Sequence, residues 1–175
     1  MMTDEIHERY AELILQRPVY RFLQRFFLSE AKTQDLIIIS PFMTTLEGTR
    51  YTLSSLRDKI ERERIPTYVI TRKPEDIFQK DAIDLLKASN YIEIRFNDSL
   101  HAKLYVCRRE DGGFALLGSG NLTRSSIEKN IEIGMIIHAR GRGRELLHEL
   151  FHWGAVRMRT LSESKLVKRM TYSRR

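Results

Sequence analysis

The period of the apolar positions changes along the chain, and the changes mark out the elements. Ile6, Tyr10, Leu13 and Ile14 recur at helical spacing behind Thr3, a residue suited to capping a helix. Phe22, Phe26 and Phe27 do the same after Pro18, which fits a first helical turn. Two helices are therefore expected over residues 3–28. Leu36–Ile37–Ile38–Ile39 is a short continuous apolar run, the pattern of a strand covered on both faces, and Ser40–Pro41 ends it. Residues 52–64 read as a helix with Leu53, Leu56 and Ile60 inward, and the β-branched residues 67–71 read as a strand. A helix opens at Lys73–Pro74–Glu75–Asp76, its apolar residues being Ile77, Phe78, Ile83, Leu85 and Leu86, and residues 91–96 alternate as a strand. The order β-α-β-α-β predicts parallel strands with helices packed on the sheet.

The second half has a different grammar. Residues 100–109 and 114–118 are apolar strands around Glu110–Asp111–Gly112–Gly113, a strong hairpin turn. Residues 131–138 form a further strand, and residues 141–160 a last helix, apolar at Leu147, Leu150, Phe151, Gly154 and Met158. There is no internal repeat and no low-complexity linker. The expectation is one mixed α/β domain whose sheet is mostly parallel, with helices on both faces. Residues 1–34 supply N-terminal helices, 35–160 the core and 161–175 a basic tail.

Composition narrows the class. At 175 residues, 42% apolar and 30% charged, the chain can bury a continuous core and is not a disordered polypeptide. Its longest apolar run, about eight residues, falls well short of the ~18 a membrane-spanning helix needs. The acidic start, MMTDEIHERYAEL, is unlike a secretory leader, and the lone Cys107 can form neither an internal disulfide nor a thiolate zinc site. A cytoplasmic protein without a membrane partner is expected. The net charge of +7 is concentrated in residues 157–175, where Glu163 is the sole acid. A basic tail attracts polyanions through counterion release, which makes Lys168 and Arg169 candidate contacts to DNA or RNA. Arg140, Arg142 and Arg144 form a second candidate group, because cations at a helix N-terminus oppose its dipole unless they hold phosphates. A solvated chain end and a solvated charge run are the plain alternatives.

The residues that carry chemistry cluster in three short segments. His101 and Lys103 alternate on an expected strand and so share a face. Gly118–Ser119–Gly120–Asn121 follows the next strand, and Glu132 opens the one after. Imidazole, ammonium, amide and carboxylate are the parts required for phosphoryl transfer without a metal. Each has a structural reading by itself: a core histidine, an edge lysine, turn and cap residues, a solvent-facing glutamate. Together they are harder to explain that way. A two-residue Asp111–Gly112 turn would pair Lys103 with Gly120 and send Ser119 and Asn121 to the wrong face. Convergence then needs a three-residue loop, a bulge, or residues 118–121 beyond the end of the ladder; the last is expected, since two glycines there suit a turn that wraps a phosphate. His148–Glu149–Leu150–Phe151–His152 matches the zinc pattern H-E-x-x-H, but no histidine follows and Glu163 is the one later carboxylate. No metal and no cofactor are expected.

His101-x-Lys103 followed by Gly118–Ser119–Gly120–Asn121 resembles the active-site pattern of the phospholipase D superfamily. The stretch LHAKLY…GSGNLT, with Glu132 eleven residues after Asn121, is most similar to its small nuclease branch, over roughly residues 35–160. The resemblance implies a homodimeric, metal-independent phosphodiesterase acting on DNA or RNA. In it His101 would form a phosphohistidine, with the same histidine of a twofold mate as the second imidazole. Lys103, Asn121 and Ser119 would hold phosphate oxygens, and Glu132 would bond an imidazole nitrogen. The superfamily usually places an Asp five residues after the Lys; here that residue is Arg108, which argues against the lipid-hydrolysing branch. A nucleic-acid-binding module that has lost turnover, and a phosphodiesterase for lipids or small diesters, are the competing readings.

Overall fold

A computed structural model describes residues 9–172. Its centre is Thr33–Ile39 (β2), whose alternate residues feed two cores: Leu36 and Ile38 face one side, Ile37 and Ile39 the other. Leu53–Glu63 (α2) and Ile77–Lys87 (α3) are capped at their N-termini by the side chains of Thr52 and Asp76. They connect β2 to Thr67–Thr71 (β3) and Ile92–Phe96 (β4), and these three strands pair in parallel as expected. With Pro18–Leu28 (α1) they cover the first face, where Phe22, Leu23, Phe26, Leu53, Leu56, Ile60, Ile83 and Leu86 are buried.

The rest of the sheet is antiparallel. Leu104–Arg109 (β5) pairs with β2 and, through the hairpin, with Phe114–Gly118 (β6); β6 pairs with Gly134–His138 (β7), which follows the short helix Arg124–Glu128 (α4), and β7 with Ala11–Ile14 (β1). With Lys165–Lys168 (β8) at the far edge, the order is β1-β7-β6-β5-β2-β3-β4-β8, and the parallel pairs are outnumbered, which corrects the expectation of a mostly parallel sheet. The parallel pairs are the two joined by the helical crossovers α2 and α3; β5 and β6 are joined by a short hairpin turn, and every other neighbouring pair is antiparallel as well. The second face is covered by Gly143–His152 (α5), which continues through a π-helical turn at Trp153–Arg157 into Met158–Thr160 (α6).

Two chain ends differ from expectation. Residues 11–14 are an edge strand rather than helix: Ile14 turns into the core while the backbone completes a ladder on β7. Residues 3–8 of that expected helix lie outside the described residues. The basic tail contains Lys165–Lys168 (β8), an antiparallel strand on β4. It is fastened by Glu93, which accepts from Arg95 and from both Arg159 nitrogens at 2.8 Å, while Arg95 and Asn97 donate to Ser164.

Candidate active site

The C-terminal ends of β2, β3 and β4 and the start of β5 lie at one end of the sheet, since Ile39 pairs with Leu104. His101 and Lys103 sit there, one step short of β5: residues 101–103 are extended but not laddered, so the expected strand from 100 begins at Leu104. Freed from a ladder, the pair folds on itself. Lys103 Nζ lies 3.0 Å from His101 Nδ1 and donates to the His101 carbonyl at 2.8 Å. The lysine pKa is lowered, first by partial burial and then by the nearby Arg72 cation, with Glu132 opposing.

The register Leu104↔Leu117 differs from that of a two-residue Asp111–Gly112 turn and places Ser119, Gly120 and Asn121 beyond the β5–β6 ladder. Their loop is pinned from three directions. Ser119 exchanges backbone and side-chain hydrogen bonds with Ile133. The fully buried Tyr105 donates its hydroxyl to Gly120 O at 2.9 Å, and burial raises its pKa. Ser40, at the end of β2, accepts from Leu122 N at 2.9 Å and donates to Phe42 O at 2.7 Å. Neither Gly118 nor Gly120 has a positive φ: a Cβ at Gly118 would meet Ile133 O at 2.5 Å, and one at Gly120 would meet Val19 Cγ2 at 2.8 Å. The protein itself fills the space at these glycines, so packing explains them before any phosphate does.

Glu132 is buried ahead of β7 and does not open the strand. Its carboxylate accepts from Ser119 Oγ, from Ser126 Oγ at 3.1 Å and from Asn130 Nδ2 at 3.2 Å. No imidazole of the described residues is among its partners. Asn121 Oδ1 is buried and, among the described residues, makes no hydrogen bond.

Three residues that the sequence did not single out complete the surroundings. Arg72 follows β3, donates from Nε to Leu100 O at 2.8 Å and stacks over Phe42, adding a second cation beside Lys103. Ser40 and Tyr105 hold the loop. A polar residue closing a buried strand, and a tyrosine inside an apolar one, were the signals available.

The remaining candidates lie elsewhere. Arg140, Arg142 and Arg144 follow His138, which pairs with Phe114 at the opposite end of β6 and β7, so a five-residue strand (~16 Å) separates them from the site. Lys168 donates to Ile92 O, at the start of β4, and Arg169 follows it at that far end. Neither basic group is brought to His101. Arg108 is also remote: it pairs with the buried Asp35 and lies 3.6 Å over the Phe151 ring, a structural position. His148 and His152 are exposed on α5, and among the described residues no group of three or more His, Cys, Asp or Glu is placed to hold a metal ion.

A mixed sheet with helices on both faces is the architecture of phospholipase D-like structures. The chain belongs to that family: residues 26–153 match the family model described as cardiolipin synthase, PLD-like domain. Among solved structures it is similar to Nuc of Salmonella typhimurium, a phospholipase D family member (TM-score 0.62, 14% identity, covering 91% of this chain and 99% of that one). It is similar to NucT of Helicobacter pylori (TM-score 0.60, 14% identity, 90% and 98%). It also resembles phosphatidylserine synthase of Haemophilus influenzae (TM-score 0.58, 15% identity), spanning 92% of this chain but 40% of that one. No curated protein sequence matches it significantly.

Proposed function

We propose that the chain is a phosphodiesterase that cleaves nucleic acid through a phosphohistidine, two copies sharing one catalytic centre. The observation that carries this reading is the 3.0 Å approach of Lys103 Nζ to His101 Nδ1 beside the pinned Ser119–Gly120–Asn121 loop. A phosphate entering the site draws the ammonium onto a non-bridging oxygen and releases Nδ1. Glu132 Oε2, engaged by Ser119 alone, keeps a lone pair for an imidazole N–H, which leaves Nε2 free to attack. The P–O bond to the leaving group then breaks as the N–P bond forms, and a second imidazole protonates the departing oxygen. The same imidazole next takes a proton from the water that splits the N–P bond. Lys103, Arg72 and the Asn121 amide, with Ser119, supply the positive charge and donors for the oxygens.

The second imidazole is assigned to His101 of another copy. Leu13 and Met135 are cross-strand neighbours, both exposed, and with exposed Ile131 and Ile133 they form an apolar strip running to Ser119. Such a strip beside a site lacking its second imidazole supports a twofold mate.

The test is diester hydrolysis in excess chelator by wild type, His101→Ala and His148→Ala. The expected result is an unchanged wild-type rate, no turnover by the first variant and nearly full turnover by the second. Loss with chelator, or a His101→Ala variant that cleaves, overturns the mechanism. A lipid reading has one observation in favour: Ile77 and Phe78, 57% and 69% exposed, open α3 after the segment that Lys73 and Arg72 tie to residues 98 and 100. Cleavage of a phospholipid headgroup with no cleavage of DNA or RNA would select it.

A further inference from the structure

A groove of about 390 Å³ leads away from the site, with His101 and Ala102 on one wall and Trp153, Met158 and Leu161 on the other. Beyond Trp153 lies a second groove of about 620 Å³, lined by His148, His152 and Arg157. Trp153 is the side chain common to both. Its placement depends on an unusual local structure. The helix passes through a π turn at Trp153–Arg157, a feature that is uncommon and concentrated at functional sites. Gly154 lies against β2 so closely that a Cβ would meet Ile37 Cγ2 at 3.0 Å and Ile39 Cδ1 at 3.3 Å. With Gly154, Ala155 and Met158 buried on the sheet, the indole is left half-buried at the rim.

The charge around the indole selects the kind of contact. Arg157 makes no ion pair among the described residues, which suits a phosphate. Glu149 and Glu163 also line the two grooves and break any continuous cationic track. Attraction by phosphates alone is therefore weak here, whereas a flat aromatic surface on the groove that His101 also lines offers stacking. A base paired within a duplex keeps its faces against its neighbours, and an unpaired base does not.

Resting on the nuclease reading, we infer that Trp153 stacks a base adjacent to the scissile phosphate and makes single-stranded nucleic acid the preferred substrate. H-E-x-x-H in this account is the wall of a strand-binding groove, with His148 and His152 flanking the path beyond the indole.

Trp153 is the chain's one tryptophan, so its emission reports directly on the contact. The full chain carrying His101→Ala is titrated with a single-stranded oligothymidylate, a duplex of equal length and an abasic oligomer with the same backbone. The single strand should quench the emission and the abasic oligomer should not. Trp153→Ala in the same background should weaken single-strand binding about tenfold and leave abasic binding unchanged, while Trp153→Phe keeps most of the affinity. Unaltered emission, or equal losses for all three ligands, overturns the inference. Wild-type cleavage alongside such a result removes the stacking role only. Failure of the wild type to cleave any diester removes the nuclease reading, while the emission still decides the stacking.

Discussion

Gly120→Ala separates two explanations for the glycine pair around Ser119, because a structural glycine and a phosphate-wrapping glycine fail differently. The backbone at Gly120 is open to any L residue, so the entire cost is steric: the new methyl meets Val19 Cγ2 at 2.8 Å, and Glu132 Cδ at 3.8 Å lies within ordinary contact. Val19 is fully buried in the first turn of α1 and cannot swing away. Overpacking of this kind costs about 1–3 kcal/mol. Val19→Ala alone removes two buried methyl groups and leaves a small void, about 2 kcal/mol. In the double variant the methyl at 120 enters the space vacated at 19, so the loss should be smaller than the sum by about 1–2 kcal/mol. Urea unfolding of the four proteins measures the coupling, and cleavage assays on the folded variants measure its consequence. The double variant should recover activity that Gly120→Ala loses, since Ser119 and Asn121 return with the loop. Additivity within about 0.5 kcal/mol would refute the packing argument. So would a Gly120→Ala variant of wild-type stability that no longer cleaves.

Two further outcomes are expected. Burial pushes the Glu93 carboxyl up, but the hydrogen bonds from Arg159 and Arg95 outweigh it and hold its pKa below the usual value. Its stabilising contribution is therefore complete above ~4.3 and is lost as pH falls through the folded value, so urea midpoints for Glu93→Gln should show a shallower acid-side decline than wild type. Arg108→Ala removes the guanidinium paired with buried Asp35 and stacked on Phe151, and should cost about 1–3 kcal/mol in unfolding experiments while leaving kcat of the folded enzyme nearly unchanged.

The elements that announce themselves in the sequence are those whose own residues decide their structure. β2 is a bare apolar run, α2 has a threonine cap and an inward stripe, and both fall where the pattern predicts them. β1 and β8 are different. The spacing of Tyr10, Leu13 and Ile14 also satisfies a helix, and four residues are too few to reveal alternation; the partner strand β7 decides the matter. Residues 165–168 are hidden in a charge run, and what makes them a strand is Glu93, Arg159 and Asn97, distant in sequence.

The gathering of the five candidate residues at one end of the sheet was legible in the sequence, and the contacts that support them were not. His101, Lys103, Ser119, Asn121 and Glu132 converge because a hairpin and one short helix return the chain to the same end of the sheet. Tyr105, Ser40 and Arg72 act through a carbonyl, a backbone amide and a long-range charge, none of which leaves a spacing in the sequence. The position of the basic residues was hidden for a related reason. Charge counted along the chain says nothing about which end of a strand will carry it, and Arg140 and Lys168 ended at the end opposite His101.

The proposed chemistry turns on a covalent bond from His101 to phosphorus, and that bond can be trapped. The wild-type reaction with a saturating oligonucleotide, in excess chelator, is quenched in alkali within the first turnover, where an N–P bond survives, and the peptide containing His101 is weighed. A phosphoryl-linked nucleotide fragment should appear on His101, be absent from His101→Ala and be lost again as product accumulates. Multiple turnovers without an adduct on that peptide, or an adduct on any other residue, would contradict it.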